Sequence, residues 1–306
     1  RLPALLDEEA LTLGSGRYGR TWPLAELPAV DQVPWPALAA VPTALVTGSN
    51  GKTTTVRLLA AMARAHGWRT AHSCTDGLYL DDALLDGGDW SGPAGARTLL
   101  RRPEVEAAVL ETARGGLLRR GMALARADVA VVTNISADHF GEYGIHDLDD
   151  LARVKLTVAR AIDGDGVLVL NADDPVLVRH AAALARPLAW FGLDAGSPVL
   201  AAARAAGVPT CAPAAGRLWL HDDAGRHDLG EIAAMPLTAG GSARYNLANA
   251  AAAALAAHGL GIPPATLADV LARFGADPRD NPGRLQRWRL GGVAVLLDYA
   301  HNPEGL

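Results

Sequence analysis

The 306-residue chain has two cysteines, Cys74 and Cys211, and neither lies in a CxxC pair. Two thiols cannot make a disulfide framework, and without that spacing nothing suggests a thiolate zinc site. A reducing cytoplasm is the expected location. Long apolar runs are missing too: none approaches the roughly 18 uninterrupted residues of a membrane helix, so no membrane partner is expected. Neither sign of charge dominates, since 28 Lys and Arg face 33 Asp and Glu for a formal net charge of −5. That is too mild for a nucleic-acid stripe, and nucleic acid is not an expected partner, whereas a homo-oligomer stays open. There is no initiating Met, and no signal pattern follows Arg1, so the native start is expected upstream or processed. What is present is a composition 50% apolar and 20% charged. It supports a sizeable core and about two domains.

Residues 1–42 are rich in Pro, Gly and Trp, as at Trp22, Pro23, Trp35 and Pro36, and read as an irregular lead-in with short elements. From Thr43 onward, apolar runs recur without alternation: 43–48, 107–112, 127–135, 166–171 and 293–298. Such runs suit strands buried on both faces of a mostly parallel sheet. Helical patterns lie between them, over Thr53–Ala65, along the stripe Leu148, Leu151, Val154, Val158 and Ile162, from Ala243 to His258, and from Pro264 to Gly275. The fold class is therefore α/β. A hairpin around Asp222–Gly225 interrupts the pattern at 216–231 as an edge insertion. The stretch 276–284, ADPRDNPGR, reads as a hinge. The expected units are the lead-in 1–42, a central unit 43–281 and, over 282–306, the start of a further domain whose last strand and turn look cut short.

Directly after the first strand come Gly48, Ser49, Asn50, Gly51, Lys52, Thr53 and Thr54, and then a helix. Glycines let backbone N–H groups turn toward phosphate oxygens, the helix N-terminus adds positive charge, Lys52 reaches terminal phosphates, and Thr53 can hold Mg²⁺. The loop is a GxxGKT variant. A tight strand-to-helix turn is the competing reading, but Lys at a helix's positive end is unfavourable without an anion.

Polar side chains finish the buried strands: Glu111, then Asn134 with Asp138 and His139, then Asn171 with Asp173 and Asp174, then Asp298. In open α/β sheets ligands bind beyond the carboxyl ends of the strands, so these groups are expected near the loop. Glu111 as a helix cap and His139 as an ordinary loop histidine stay open. Lys155 sits at the edge of an apolar stripe, where its ammonium must snorkel, pair or be chemically altered. Asn246 and Asn249, one turn apart on an Ala-rich helix, either face a ligand or cap a shorter helix.

The motifs TGSNGKTTT, LETARGG, NISADHFGEYG, LARVK and VLNADDP occur in this order. In them, and from about residue 43 to 306, the chain resembles the Mur ligase superfamily, most of all the Mur-ligase-like part of cyanophycin synthetases, through Ser73–Gly77, Gly88–Arg97 and Leu110–Gly116. No counterpart of the ATP-grasp half of that family is visible. The resemblance implies a P-loop ATPase central domain followed by the start of a Rossmann-like C-terminal ligase domain. It implies ATP and Mg²⁺, two ions, with Lys52, Glu111, His139 and Lys155 as the catalytic set. Gly48 to Thr54 would bind the phosphates; Thr53 and Glu111 would take one ion and His139 a second. Lys155 matches a lysine that many of these ligases carry as a carbamate ligand, a modification left open here. Asn249 would face adenine, Arg284 a phosphate and Asp298 the ribose, while Thr75, Asp76, Arg97, Arg114 and His301 would serve the substrate.

The implied reaction is ATP-dependent amide formation: a carboxylate becomes an acyl phosphate, and an amine, such as that of an amino acid, then displaces phosphate. A P-loop phosphotransferase or NTPase is the first rival, and it would release ADP without an added amine. The second is an inactive nucleotide-binding partner subunit, which would bind ATP without turnover. One departure bears on the substrate. Many Mur ligases have E-x-S-S where this chain reads Glu111-Thr112-Ala113-Arg114-Gly115-Gly116, with Arg97, Arg119 and Arg120 nearby. Arginine forks bind carboxylates in a bidentate way, which suggests a peptide substrate with several carboxylates; a solvated helix start is the competing reading.

Overall fold

The computed structural model describes residues 2–137, 140–162, 164–194, 196–300 and 302. His139 and His301 lie outside the described residues. An apolar strand without alternation must be covered on both faces, and the runs ending at Thr47, Glu111, Val132 and Asn171 sit inside an 11-stranded sheet. Its order is Gly225–Glu231, Arg217–Asp222, Thr210–Ala214, Leu188–Phe191, Val167–Asn171, Val129–Val132, Thr43–Thr47, Ala107–Glu111, Thr70–Cys74, Gly77–Leu80, Ala83–Gly87. The strands from Thr210–Ala214 to Thr70–Cys74 run parallel to one another. The two flanks turn back as antiparallel hairpins, one of them the expected insertion around Asp222–Gly225.

The order reverses at Thr43–Thr47. The chain passes from it to Thr70–Cys74 on one side, returns to Ala107–Glu111 between the two, and then crosses to Val129–Val132. A crevice opens at the carboxyl ends at such a reversal. Register sets what stands there, because Val46 lies opposite Glu111 and Thr47 opposite Val132.

The helices are α1 (Lys52–Ala65), α2 (Pro93–Leu100), α3 (Arg114–Arg120), α4 (Leu148–Lys155), α5 (Pro175–Ala181), α6 (Pro198–Ala205), α7 (Arg244–Gly259) and α8 (Pro264–Leu271). One core joins α1, α7 and α8 to one face of the sheet, and the other joins α2, α4, α5 and α6 to the opposite face. Leu58, Leu59, Leu99 and Leu100 are fully buried in these cores, each contributing about 2 kcal/mol. The predicted stripe from Leu148 to Ile162 is α4 followed by a tighter 3-10 stretch, Leu156–Ala161. Apolar on all sides, α7 has no solvent face over Ala250–Ala257. Its last residue, Gly259, lies so close to the sheet that a Cβ would stand 2.6 Å from Val167.

The lead-in carries a small antiparallel sheet, Ala4–Leu6, Ala10–Leu13 and Arg20–Pro23. Arg101 straps it to the main body through Asp7, the Thr12 hydroxyl at 3.0 Å and the Ala10 carbonyl at 3.1 Å. The run at 293–298 differs from the expectation of a strand buried on both faces. Among the described residues Val293–Leu297 pairs only with Gln286–Leu290, and Val293 and Leu296 are 61% and 60% exposed.

Candidate active site

The loop after Thr47 is folded by hydrogen bonds to the end of the neighbouring strand. Ser49 N–H donates to the Asn134 carbonyl (3.0 Å) and Asn50 N–H to Asn134 Oδ1 (2.9 Å). The Thr133 hydroxyl and the Asn134 amide both donate to the Asn50 carbonyl, at 2.6 and 3.1 Å. The outer half of the loop is thereby fixed, and α1 begins at its inner half. Gly51 caps α1 at φ +84° without a side-chain hydrogen bond, so the helix's first N–H groups face the cleft. A Cβ on Gly51 would lie 2.1 Å from Asn249 Oδ1, and one on Gly48, at φ +145°, would lie 1.8 Å from the Thr133 hydroxyl. Glycine is required at both positions.

Two ammonium groups meet at this loop. Lys52 Nζ donates to the carbonyls of Gly48 (3.1 Å) and Ser49 (3.0 Å), and Lys155 Nζ to the same Gly48 carbonyl at 2.8 Å. Lys155 is 2% exposed, so its head does not snorkel to solvent. Cations gathered on one carbonyl at a helix N-terminus make a strong anion site. Beside them Glu111, 2% exposed, accepts from the Thr53 hydroxyl at 2.8 Å and the Thr75 hydroxyl at 3.1 Å. A buried carboxylate needs donors or a cation. Among the described residues no three His, Cys, Asp or Glu gather as a cage. Mg²⁺ needs none, because it binds through one or two carboxylates and substrate phosphates and keeps waters. The oxygen set of Glu111, Thr53 and Thr75 therefore fits Mg²⁺ brought in with a phosphate.

These groups line a cleft of about 750 Å³, within the usual size for a ligand site. Its walls include all of Ser49–Thr54, Thr75, Glu111, Arg114, Asn134, Lys155, Asn249, Arg284 and Asp298. Asn246 and Asn249 are not helix caps: α7 starts at Arg244, and the Asn249 amide donates to Asn246 Oδ1 at 3.3 Å while facing Gly51. The Arg284 guanidinium stacks 4.3 Å from the Tyr299 ring centre, and Asp298 accepts from Leu285 N–H at 2.7 Å. Burial, reinforced by the Asp298 carboxylate, pushes the nearby Tyr245 phenol up.

At the other end, Arg114 pairs with Glu142 at 2.6 Å, and Arg119 donates to the Tyr143 hydroxyl at 2.7 Å. Arg120 also faces the cleft, whereas Arg97 and Asp76 are absent from its walls. Asn171, Asp173 and Asp174, expected among the convergent strand-end groups, serve the backbone instead. Asp174 caps α5 and accepts from Ile135 N–H at 2.6 Å, Asp173 accepts from Leu193 N–H, and Asn171 donates to the Thr133 carbonyl. Burial pushes both thiols up, so neither Cys74 nor Cys211 is poised as a nucleophile.

Two residues went unnoticed in the sequence. Arg57, one turn into α1, and Asn281, in the predicted hinge, are each 5% exposed and hydrogen-bonded at 3.2 Å. A basic residue inside an amphipathic helix and an Asn before Pro look like a solvated face and a turn, so neither carried a signal.

The family model "Mur ligase middle domain" matches residues 46–257. Cyanophycin synthetase of Synechocystis sp. is 38% identical over 265 residues, covering 87% of this chain but 30% of that protein. The chain thus spans less than a third of this relative's length. Among solved structures, a UDP-N-acetylmuramoyl-L-alanyl-D-glutamate–2,6-diaminopimelate ligase matches with a TM-score of 0.61 and 22% identity, over 87% of this chain and 52% of that one. FolC of E. coli, in complex with DHPP and ADP, matches at 0.59 and 19%, over 86% and 63%. Neither likeness extends past the fold. The matched sheet, the glycine loop opening α1 and the identity to cyanophycin synthetase together place the chain in the Mur ligase family.

Proposed function

We propose that this chain is the ATP-using part of an ATP-dependent amide ligase that joins a carboxylate, through an acyl phosphate, to an amine and releases ADP and phosphate. The observation that carries this reading is the meeting of Lys52, Lys155, Thr53 and Glu111 at the open N-terminus of α1. In this reading Gly48 to Thr54 cradle the phosphates and Lys52 offsets charge on the transferring phosphoryl group, the kind of electrostatic term that dominates such chemistry. Thr53 and Glu111 hold one Mg²⁺, His139 serves a second, and Lys155 belongs to the same centre. Bound Mg²⁺ supplies charge neutralisation and orientation of phosphate oxygens. Asn249 is assigned to adenine, Arg284 to a phosphate and Asp298 to ribose, with residues 43–281 as the ATPase unit, 1–42 as its lead-in and 282–306 as the start of a ligase domain. Thr75 and Arg114 are assigned to the acid substrate, with Arg97 and His301 assigned there by resemblance alone. The arginines at 114, 119 and 120 favour an acid with several carboxylates.

The test is phosphate release from ATP with acidic dipeptides and amino acids, starting with arginine or lysine and an aspartyl acceptor. Release that requires both acid and amine supports the ligase. Release independent of an amine would mean a phosphotransferase or NTPase, and binding without turnover an inactive partner.

A further inference from the structure

Arg57 is a buried guanidinium with three acceptors drawn from separate parts of the chain. Its Nη1 donates to Asn281 Oδ1 at 3.2 Å and to the Pro282 carbonyl at 2.9 Å, and its Nη2 to Asp76 Oδ2 at 2.6 Å. Arg284 approaches the same Asp76 oxygen at 4.0 Å. With its oxygen held by Arg57, the Asn281 amide must present its NH₂ the other way, and it donates to the Thr54 hydroxyl at 3.2 Å. A hydroxyl that accepts this bond keeps its own proton for another acceptor, and Thr54 lines the cleft.

We propose that Thr54, Asn281, Arg57 and Asp76 form a relay by which a phosphate in the loop fixes the hinge at 281–284 and so sets Arg284 over the cleft. The inference rests on the nucleotide reading above and goes beyond it. Arg57 and Asn281 are positioning residues, and Asp76, which the resemblance assigned to substrate, is the strut that holds two guanidinium groups. The planar fork is essential: a lysine in place of Arg57 could neutralise Asp76 but could not orient the amide.

The hinge reports directly on this relay. Arg279 is exposed and stands outside the cleft, so trypsin cleavage after it reads hinge order without contact with nucleotide. In the full chain, Mg·ATP is expected to slow that cleavage about tenfold, the worth of a buried hydrogen-bonded link. Asn281→Ala is expected to remove the protection, to weaken Mg·ATP binding, read by calorimetry, by no more than about tenfold, and to leave the chain folded with its melting temperature lowered by only a few degrees. Arg57→Lys, which retains the charge, is expected to behave alike and guards against a folding defect in the first variant. Unaltered nucleotide-dependent protection in both variants would overturn the relay while leaving the nucleotide reading intact. Failure of the unaltered chain to bind Mg·ATP would overturn both.

Discussion

The two ends of the cleft are built differently. At the loop end, Glu111, Thr53, Lys155 and Asn249 are each at most 5% exposed; Glu111 ends a central strand, Thr53 and Asn249 stand on the 14- and 16-residue helices α1 and α7, and Lys155 is buried at the end of α4. At the arginine end, Arg114 and Arg119 stand on the seven-residue α3 and pair with the exposed residues Glu142 and Tyr143. Groups fixed by a packed scaffold suit a step that is the same for every substrate. Groups on short elements and loops can change their partner without disturbing the core, which is where recognition is usually found. Arg114 already holds a carboxylate, that of Glu142, so an incoming acid would exchange one ion pair for another instead of neutralising a bare charge.

Four substitutions test this division, beginning with the largest effect. Lys52→Ala should lower phosphate release by about a thousandfold, the cost of removing a preorganised charge; unchanged turnover would sink the assignment. Gly51→Ala forces a Cβ onto Asn249 at φ +84° and should cost about 1–3 kcal/mol of stability, read by thermal melting, with loss of nucleotide binding. Arg114→Ala should raise KM for the acid substrate about tenfold and leave KM for ATP alone; an equal effect on both would erase the distinction between the ends. The smallest effect concerns the rigid half and appears as a pH slope. His72 is buried and stacked on Tyr79, and burial holds its imidazole down to about 3 from 6.5. The unfolded chain therefore binds a proton that the folded chain refuses, so this contribution to stability is full above pH 6.5 and falls as pH drops toward 3. His72→Gln should flatten the melting temperature between pH 6.5 and 5, about the range where the imidazole of an unfolded chain titrates.

The central strands and α1 were legible because both rules that expose them are local: unbroken apolar runs for two-sided burial, and glycines followed by Lys-Thr for an anion at a helix start. Strand Thr70–Cys74 was not, although it is wholly buried, because Thr70, His72 and Ser73 break the apolar run and only tertiary packing makes it a strand. The last apolar run misled for the opposite reason, since its composition demands cover on two faces while the fold pairs one edge. Among strand-end acids, sequence could not separate Glu111 from Asp174. Both follow buried strands, and the difference is that Asp174 stands one residue before Pro175 and is used up as a helix cap. Arg57 and Asn281, 224 positions apart, become a site only once the chain is folded.

The alanines of α7 carry a consequence for how this chain can vary. Because seven of the eight residues from Ala250 to Ala257 meet the core as alanines, with Leu255 the one larger side chain among them, the helix lies close to the sheet, and Asn249 sits at the end of that gauge against Gly51. Volume added two turns along the helix from Asn249 would tilt the gauge and be felt at the loop. Drift in this helix is thus constrained by a contact most of its residues never touch.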